Sequence, residues 1–321
     1  MMGRMDCCGE SHVGLVRENN EDQFLIADLK KSVIIHHTSL SYEDETELLG
    51  GSQAKLMLVA DGVGGNAAGE RASSLALESV IQYLLNAMHW MFRPEDEREA
   101  SFVDDLKSAL SFTQERIQHA AESAPYDDGM GTTITMAYVV WPHIYLVHAG
   151  DSRAYLYRNG DLTLLTHDQT FAQELADAGV LQPEQIPASP LKHVLSSLVG
   201  CDPAQLNPRV YRAELALNDT LLLCTDGLTR HLNESGIAAI LRSDESASTS
   251  CRKLIESAND AGGQDNTTVI VARFCDRTTT SATQESAHAG GKVDVTAQHG
   301  LVGQRQFMCL SSCITGFGRM T

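Results

Sequence analysis

Residues 132–160, TTITMAYVVWPHIYLVHAGDSRAYLYRNG, decide the fold. Three runs in this stretch, residues 132–141, 144–149 and 153–158, are rich in β-branched and aromatic side chains and read as strands. Trp141-Pro142-His143 and Gly150-Asp151-Ser152 join them, and Asn159-Gly160 makes a further tight turn. Connections this short require antiparallel pairing, because a parallel neighbour needs a crossover of about a dozen residues or more. Residues 134–149 are also the nearest approach to a membrane span. The Trp-Pro-His turn interrupts them, and they fall short of the ~18 apolar residues a spanning helix needs.

Working outward, further strands are expected at residues 13–16, 23–27, 32–36, 55–60, 220–224 and 267–274. The unbroken Leu221-Leu222-Leu223 indicates a strand covered on both faces. Residues 68–91 carry Leu75, Leu77, Val80, Ile81, Leu84, Leu85 and Met88 at close to helical spacing. A second helix is expected over 102–121 and a third helical region over 238–258. Long helices between groups of strands argue for α+β layering rather than alternating βαβ units. The polar segment 38–53 reads as a loop between two strands. Texture changes near Asp276, beyond which Thr, Ala, Gly, His and Gln dominate. The expected organisation is therefore one domain over 1–276 and a disordered tail over 277–321, too poor in apolar surface to offset chain ordering.

The chain has 321 residues, with 42 acidic against 24 basic side chains and a formal charge of −18. That balance argues against nucleic-acid and anionic-membrane partners, which demand a basic face. It suits a protein that gathers carboxylates around cations. Eight cysteines are too sparse for a disulfide scaffold, and Cys224 reads as a buried thiol. Cys309-x-x-x-Cys313 lacks a second ligand pair for zinc. No apolar leader marks residues 1–10, so a cytoplasmic location is expected.

Five acidic clusters fall where strands meet turns: Arg17-Glu18-Asn19-Asn20-Glu21-Asp22, Asp61-Gly62-Val63-Gly64-Gly65, Gly150-Asp151-Ser152-Arg153, Thr225-Asp226-Gly227-Leu228 and Gly262-Gly263-Gln264-Asp265-Asn266. Any one is an ordinary turn former. Repeated at strand ends, they project carboxylates from one end of a sheet, where they repel one another unless cations intervene. All-oxygen ligation selects hard ions such as Mg²⁺ or Mn²⁺. Two such ions can hold a bridging water for in-line attack on phosphorus. Arg17 supplies a guanidinium for the phosphoryl oxygens. A dinucleotide site at Gly62-x-Gly64-x-x-Ala67 lacks the following strand and acidic residue, and no Gly-Lys-Ser/Thr loop is present.

The order Arg17-x-x-x-Glu21-Asp22, Asp61-Gly62-x-Gly64-Gly65, Gly131-Thr132-Thr133, Gly150-Asp151-Ser152-Arg153, Thr225-Asp226-Gly227-Leu228, Gly262-Gly263-x-Asp265-Asn266 resembles the PP2C (PPM) metal-dependent serine/threonine protein phosphatases across residues 11–274. Residues 165–168 and 191–200 look like the bacterial branch. The resemblance implies a four-layer α/β/β/α sandwich of two antiparallel sheets flanked by helices. It implies hydrolysis of phosphoserine and phosphothreonine in proteins, with two or three Mn²⁺ or Mg²⁺ ions, and phosphoprotein partners that include a serine/threonine kinase. By the same resemblance, Asp61 bridges two metals and the Gly62 carbonyl binds one of them. Glu21, Asp226 and Asp265 complete the set, and Asp151 with Asp226 offers a third position. Arg17 holds the phosphate, and Asp22 supports the ligands. The sequence departs from eukaryotic relatives at Val63, where they carry a histidine proposed as general acid. His167 reads as a packed turn histidine. Residues 170–200, stiffened by Pro183, Pro187 and Pro190, are expected to form a flap that contacts substrate protein.

Overall fold

A strand whose successive side chains are all apolar needs cover on both faces, and the computed structural model shows where each cover comes from. It describes residues 4–37, 39–41, 45–64, 67–87, 96–123, 129–200, 202, 206–243, 245–275 and 292–294. In chain order these form β1 (Arg4–His12), β2 (Asp22–Ile35), β3 (Thr46–Val63), α1 (Ala68–Asn86), α2 (Asp96–Glu122), β4 (Gly131–Thr132), β5 (Ile134–Val140), β6 (His143–Ala149), β7 (Arg153–Arg158) and β8 (Asp161–Leu164). Then follow α3 (Phe171–Asp177), a 3₁₀ turn (Pro183–Ala188), β9 (Arg209–Glu214), β10 (Thr220–Cys224), α4 (Asp226–Thr229), α5 (Glu234–Leu241), α6 (Ala247–Asp260), β11 (Thr267–Cys275) and β12 (Lys292–Asp294).

One sheet has the order β1-β11-β10-β7-β8 and the other β12-β3-β5-β6-β9, with β2 and β4 also paired to β3. In β10 the alternation sorts side chains between two cores. Leu221 and Leu223 pack with Met57, Val59, Ala137 and Leu146 of the opposite sheet. Leu222 and Cys224 face the other way, onto Leu228, Ile237, Leu254 and Ile255 of α4, α5 and α6. A third apolar layer joins Leu56, Leu58, Met136 and Tyr138 to Ala72, Val80, Phe102 and Leu110 of α1 and α2. Helix, sheet, sheet and helix thus alternate with three apolar layers, the four-layer α+β arrangement expected from the sequence.

Several boundaries differ from those expected. Residues 13–16 are a turn, not a strand: Gly14 takes φ +84°, and Leu15 and Val16 are exposed. Of the segment 38–53 expected as a loop, the part from Thr46 onward is strand, since β3 begins there. The region 238–258 is two helices, α5 and α6. Strands β1, β8, β9 and β12 were not expected from the sequence. Residues 30–51 and β12 form a second, smaller unit, within which Lys292–Asp294 pairs in parallel with residues 47–49 of β3. The expected tail from 277 otherwise lies outside the described residues, as do Cys309 and Cys313.

Candidate metal centre

Strand register brings the acidic turns to one edge. Cys224 pairs with Val269 on one side and Arg153 on the other, so the turns holding Asp226, Asp265 and Asp151 share one end of the first sheet. In the second sheet Val59 pairs with Thr135, Ile134 with Ala149, and Gly62 with Thr132, which places Asp61 beside the β6–β7 turn. The turn is fixed from within: Thr133 Oγ1 lies 2.8 Å from Ser152 Oγ, Asp61 N donates to Thr133 Oγ1 at 3.1 Å, and Thr133 N donates to Asp61 O at 2.9 Å.

Glu21 reaches the same place through close backbone approach. Gly62 N donates to Glu21 O, and a Cβ at Gly62 would sit 2.1 Å from Gly69 O. A Cβ at Gly69 would meet the Glu21 carboxyl carbon at 2.7 Å. Glycine is required at both positions because no side chain fits. Asp22 is buried and accepts a hydrogen bond from Thr225 Oγ1 at 2.8 Å, tying the start of β2 to the end of β10.

Arg17, Glu21, Asp61, Gly62, Asp151, Asp226 and Asp265 all line one cleft of about 510 Å³, so every site residue expected from sequence except Asp22, which lies behind the wall, faces it. Burial and the fields of Asp22, Asp226, Asp151 and Asp265 hold the Asp61 carboxyl well above the usual range. Asp151 is raised by burial and Asp226, and Asp226 by burial against the lowering effect of Arg230. Burial pushes Asp22 up to about 7, and Glu21 is also raised, chiefly by burial.

This donor set fits divalent cations. Asp226 Oδ1 is buried with no hydrogen-bond partner. One ligand atom each from Asp151, His193 and Asp226 lies within 4.8 Å of the others. An orphaned buried carboxylate oxygen costs several times the net gain of a hydrogen bond, and a hard cation offsets that cost.

Three residues at this site received no role from the sequence. Asn266 donates from Nδ2 to Val13 O and Asn19 O, both at 2.9 Å, and accepts from Glu21 N at 2.8 Å. Arg230 pairs with Asp226 and, at 2.5 Å, with Asp265. His193 enters the cleft from the segment 170–200. Asn266 was visible in the Asp-Asn signature. Nothing in local sequence marks Arg230, and His193 stands in the 191–200 stretch that carried a family likeness but no role; both act through tertiary proximity. Arg17 grips Asp265, with Nε at 2.9 Å from Oδ1 and Nη2 at 3.1 Å from Oδ2. His167 bonds Asp177 at 2.7 Å and does not line the cleft.

The chain matches the family model described as protein phosphatase 2C over residues 36–287. It is 33% identical over 264 residues to the serine/threonine protein phosphatase PstP of Mycobacterium tuberculosis, covering 82% of this chain and 44% of that protein. This chain therefore spans less than half the length of that relative. The serine/threonine phosphatase stp of Listeria welshimeri is 32% identical over 216 residues, covering 67% of this chain and 83% of that one. Among solved structures, the catalytic domain of a PstP phosphatase in complex with two manganese ions superposes with a TM-score of 0.63 at 32% identity, over 85% of this chain and 99% of that one.

Proposed function

This chain belongs to the protein phosphatase 2C family, and on that premise we propose that it hydrolyses phosphoserine and phosphothreonine in proteins with divalent cations held by its carboxylate cluster. The observation that carries the reading is the convergence of Glu21, Asp61, Asp151, Asp226 and Asp265 on one cleft beside Arg17. A cluster so disfavoured when fully ionised is built for a cationic guest.

Glu21, Asp61, the Gly62 carbonyl, Asp226 and Asp265 are the proposed holders of two ions, with Asp151 and Asp226 offering a third position. Bound Mn²⁺ or Mg²⁺ supplies an activated water for in-line attack and neutralises charge on the phosphoryl oxygens. Arg17, its side chain half exposed beside the cleft, orients the phosphate through its planar fork. Asp22 positions rather than ligates, through its bond to Thr225. Val63 carries no proton for the leaving alkoxide, so water in the cleft is the proposed donor. Pro183–Ala188 forms a 3₁₀ turn beyond α3, and Val194, Leu195 and Leu198 line the cleft. Their placement supports residues 170–200 as the surface that meets the substrate protein. Phosphoproteins, including a serine/threonine kinase, are the proposed partners, in the cytoplasm. No described helix is long and apolar enough to cross a membrane.

The test is phosphopeptide hydrolysis with and without chelator, comparing wild type with Asp226→Asn. Turnover should vanish with chelator and in the variant. Activity that survives chelation, or that favours nucleotides over phosphopeptides, would refute the assignment.

A further inference from the structure

Five carboxylates of the cleft face two guanidiniums, and the two arginines are not equivalent. Arg17 pairs with Asp265, whereas Arg230, at the C-terminal cap of α4, pairs with both Asp226 and Asp265. Asp226 offers one oxygen to that guanidinium while its other oxygen lies buried without a partner. Both oxygens of Asp265 are already engaged, by Arg17, by Arg230 and by the Asn266 backbone N–H. A carboxylate held this way cannot turn its lone pairs to a cation without releasing a guanidinium.

We propose that Arg230 is a tethered counter-cation that holds Asp226 and Asp265 together in the metal-free protein and is exchanged for a divalent ion on loading. The proposal rests on the metal-site reading above and assigns Arg230 a positioning role rather than a catalytic one. Before loading, its charge offsets the mutual repulsion of carboxylates drawn from the ends of β10 and β11. On loading, the ion must displace a charge-assisted pair, which weakens its apparent affinity. Arg230 therefore trades cation affinity for a pre-assembled site.

Calorimetric titration of chelator-treated protein with Mn²⁺ tests the exchange. Arg230→Gln should bind Mn²⁺ roughly tenfold more tightly than wild type, as expected from loss of one competing charge-assisted pair. Metal-free Arg230→Gln should melt about 2–5 °C below metal-free wild type, the gap closing at saturating Mn²⁺. Arg230→Lys, which keeps the charge and loses the fork, should fall between the two. Lys192→Gln removes a charge from the neighbouring flap segment and measures the long-range effect; it should change affinity by less than about twofold. Unchanged or weakened Mn²⁺ binding by Arg230→Gln overturns the exchange, as does an equal gain in Lys192→Gln. Wild-type protein that binds no Mn²⁺ at all refutes the metal-site reading itself, and the proposal with it.

Discussion

Replacing Asn266 with alanine should loosen the site and the fold together. Asn266 is only 6% exposed, and its side-chain amide makes three hydrogen bonds: from Glu21 N, and to Val13 O and Asn19 O. These bonds tie the loop carrying Arg17 and Glu21 to the start of β11. With a net contribution of about 1 kcal/mol each, the alanine variant should lose about 3 kcal/mol. For a domain of this size that corresponds to a drop in melting temperature of about 6 °C. Asn266→Asp is the sharper variant. It keeps an acceptor for Glu21 N but sets a second carboxylate oxygen against two carbonyls and adds charge to an acidic cluster. It should therefore melt below the alanine variant. Thermal melts in chelator and in excess Mn²⁺ would measure both, and Mn²⁺ affinity should fall in each because the loop carrying Glu21 loses the bonds that Asn266 Nδ2 donates to Val13 O and Asn19 O. A shift under about 2 °C for alanine, or an aspartate variant more stable than alanine, would refute the reasoning.

The raised carboxylates predict an unusual pH trend. In the metal-free fold Asp22, Asp61, Asp151 and Asp226 hold protons more tightly than in the unfolded chain, so folded protein binds more protons and stability falls as pH rises. The loss begins near the unfolded value of about 3.9 and is complete above the folded values, about 7 for Asp22. Chelated protein should thus melt higher at pH 6 than at pH 8, and excess Mn²⁺ should cancel the difference; a chelated melt that rises with pH contradicts the cause assigned here. In the outer core, Leu222→Ala should lower stability by about 2–5 kcal/mol, read as a fall in urea midpoint at unchanged slope.

What the sequence made legible follows from how each strand is covered. Strands β5, β6, β7, β10 and β11 announced themselves because they are inner strands, flanked by partners and apolar on both faces. The strands that escaped notice, β1, β8, β9 and the short β12, are all sheet edges. Arg4–His12, Asp161–Leu164 and Arg209–Glu214 are paired on one side only and leave residues half-buried, so they carry little of the apolar signal that marks a strand. Residues 13–16 misled for the opposite reason: Val13, Leu15 and Val16 look strand-like, yet the loop must bend there to bring Arg17 to Asp265, and Gly14 allows it. At the site, Asp61, Asp151, Asp226 and Asp265 were legible because each belongs to a turn signature. Arg230 and His193 were not, since their roles arise only after distant elements meet.

The same topology explains why the acidic residues sit where they do. Asp61 lies at the end of β3, Asp151 in the turn between β6 and β7, Asp226 at the end of β10 and Asp265 just before β11, and all five of these strands are interior to their sheets. Interior strands have both backbone edges hydrogen-bonded and, here, apolar layers above and below, so their ends open last when a fold fluctuates. Like charges can be kept close only on supports whose opening costs more than the repulsion gains. Carboxylates on β1, β8 or β9 would move apart by fraying one edge, and the cleft would lose its field. Placed on the stiffest part of the sandwich, the repulsion is instead retained as affinity for cations, moderated in their absence by Arg17 and Arg230. On this argument a destabilising change in an edge strand such as β9 should leave Mn²⁺ affinity nearly intact, whereas one of equal cost in β10 should weaken it.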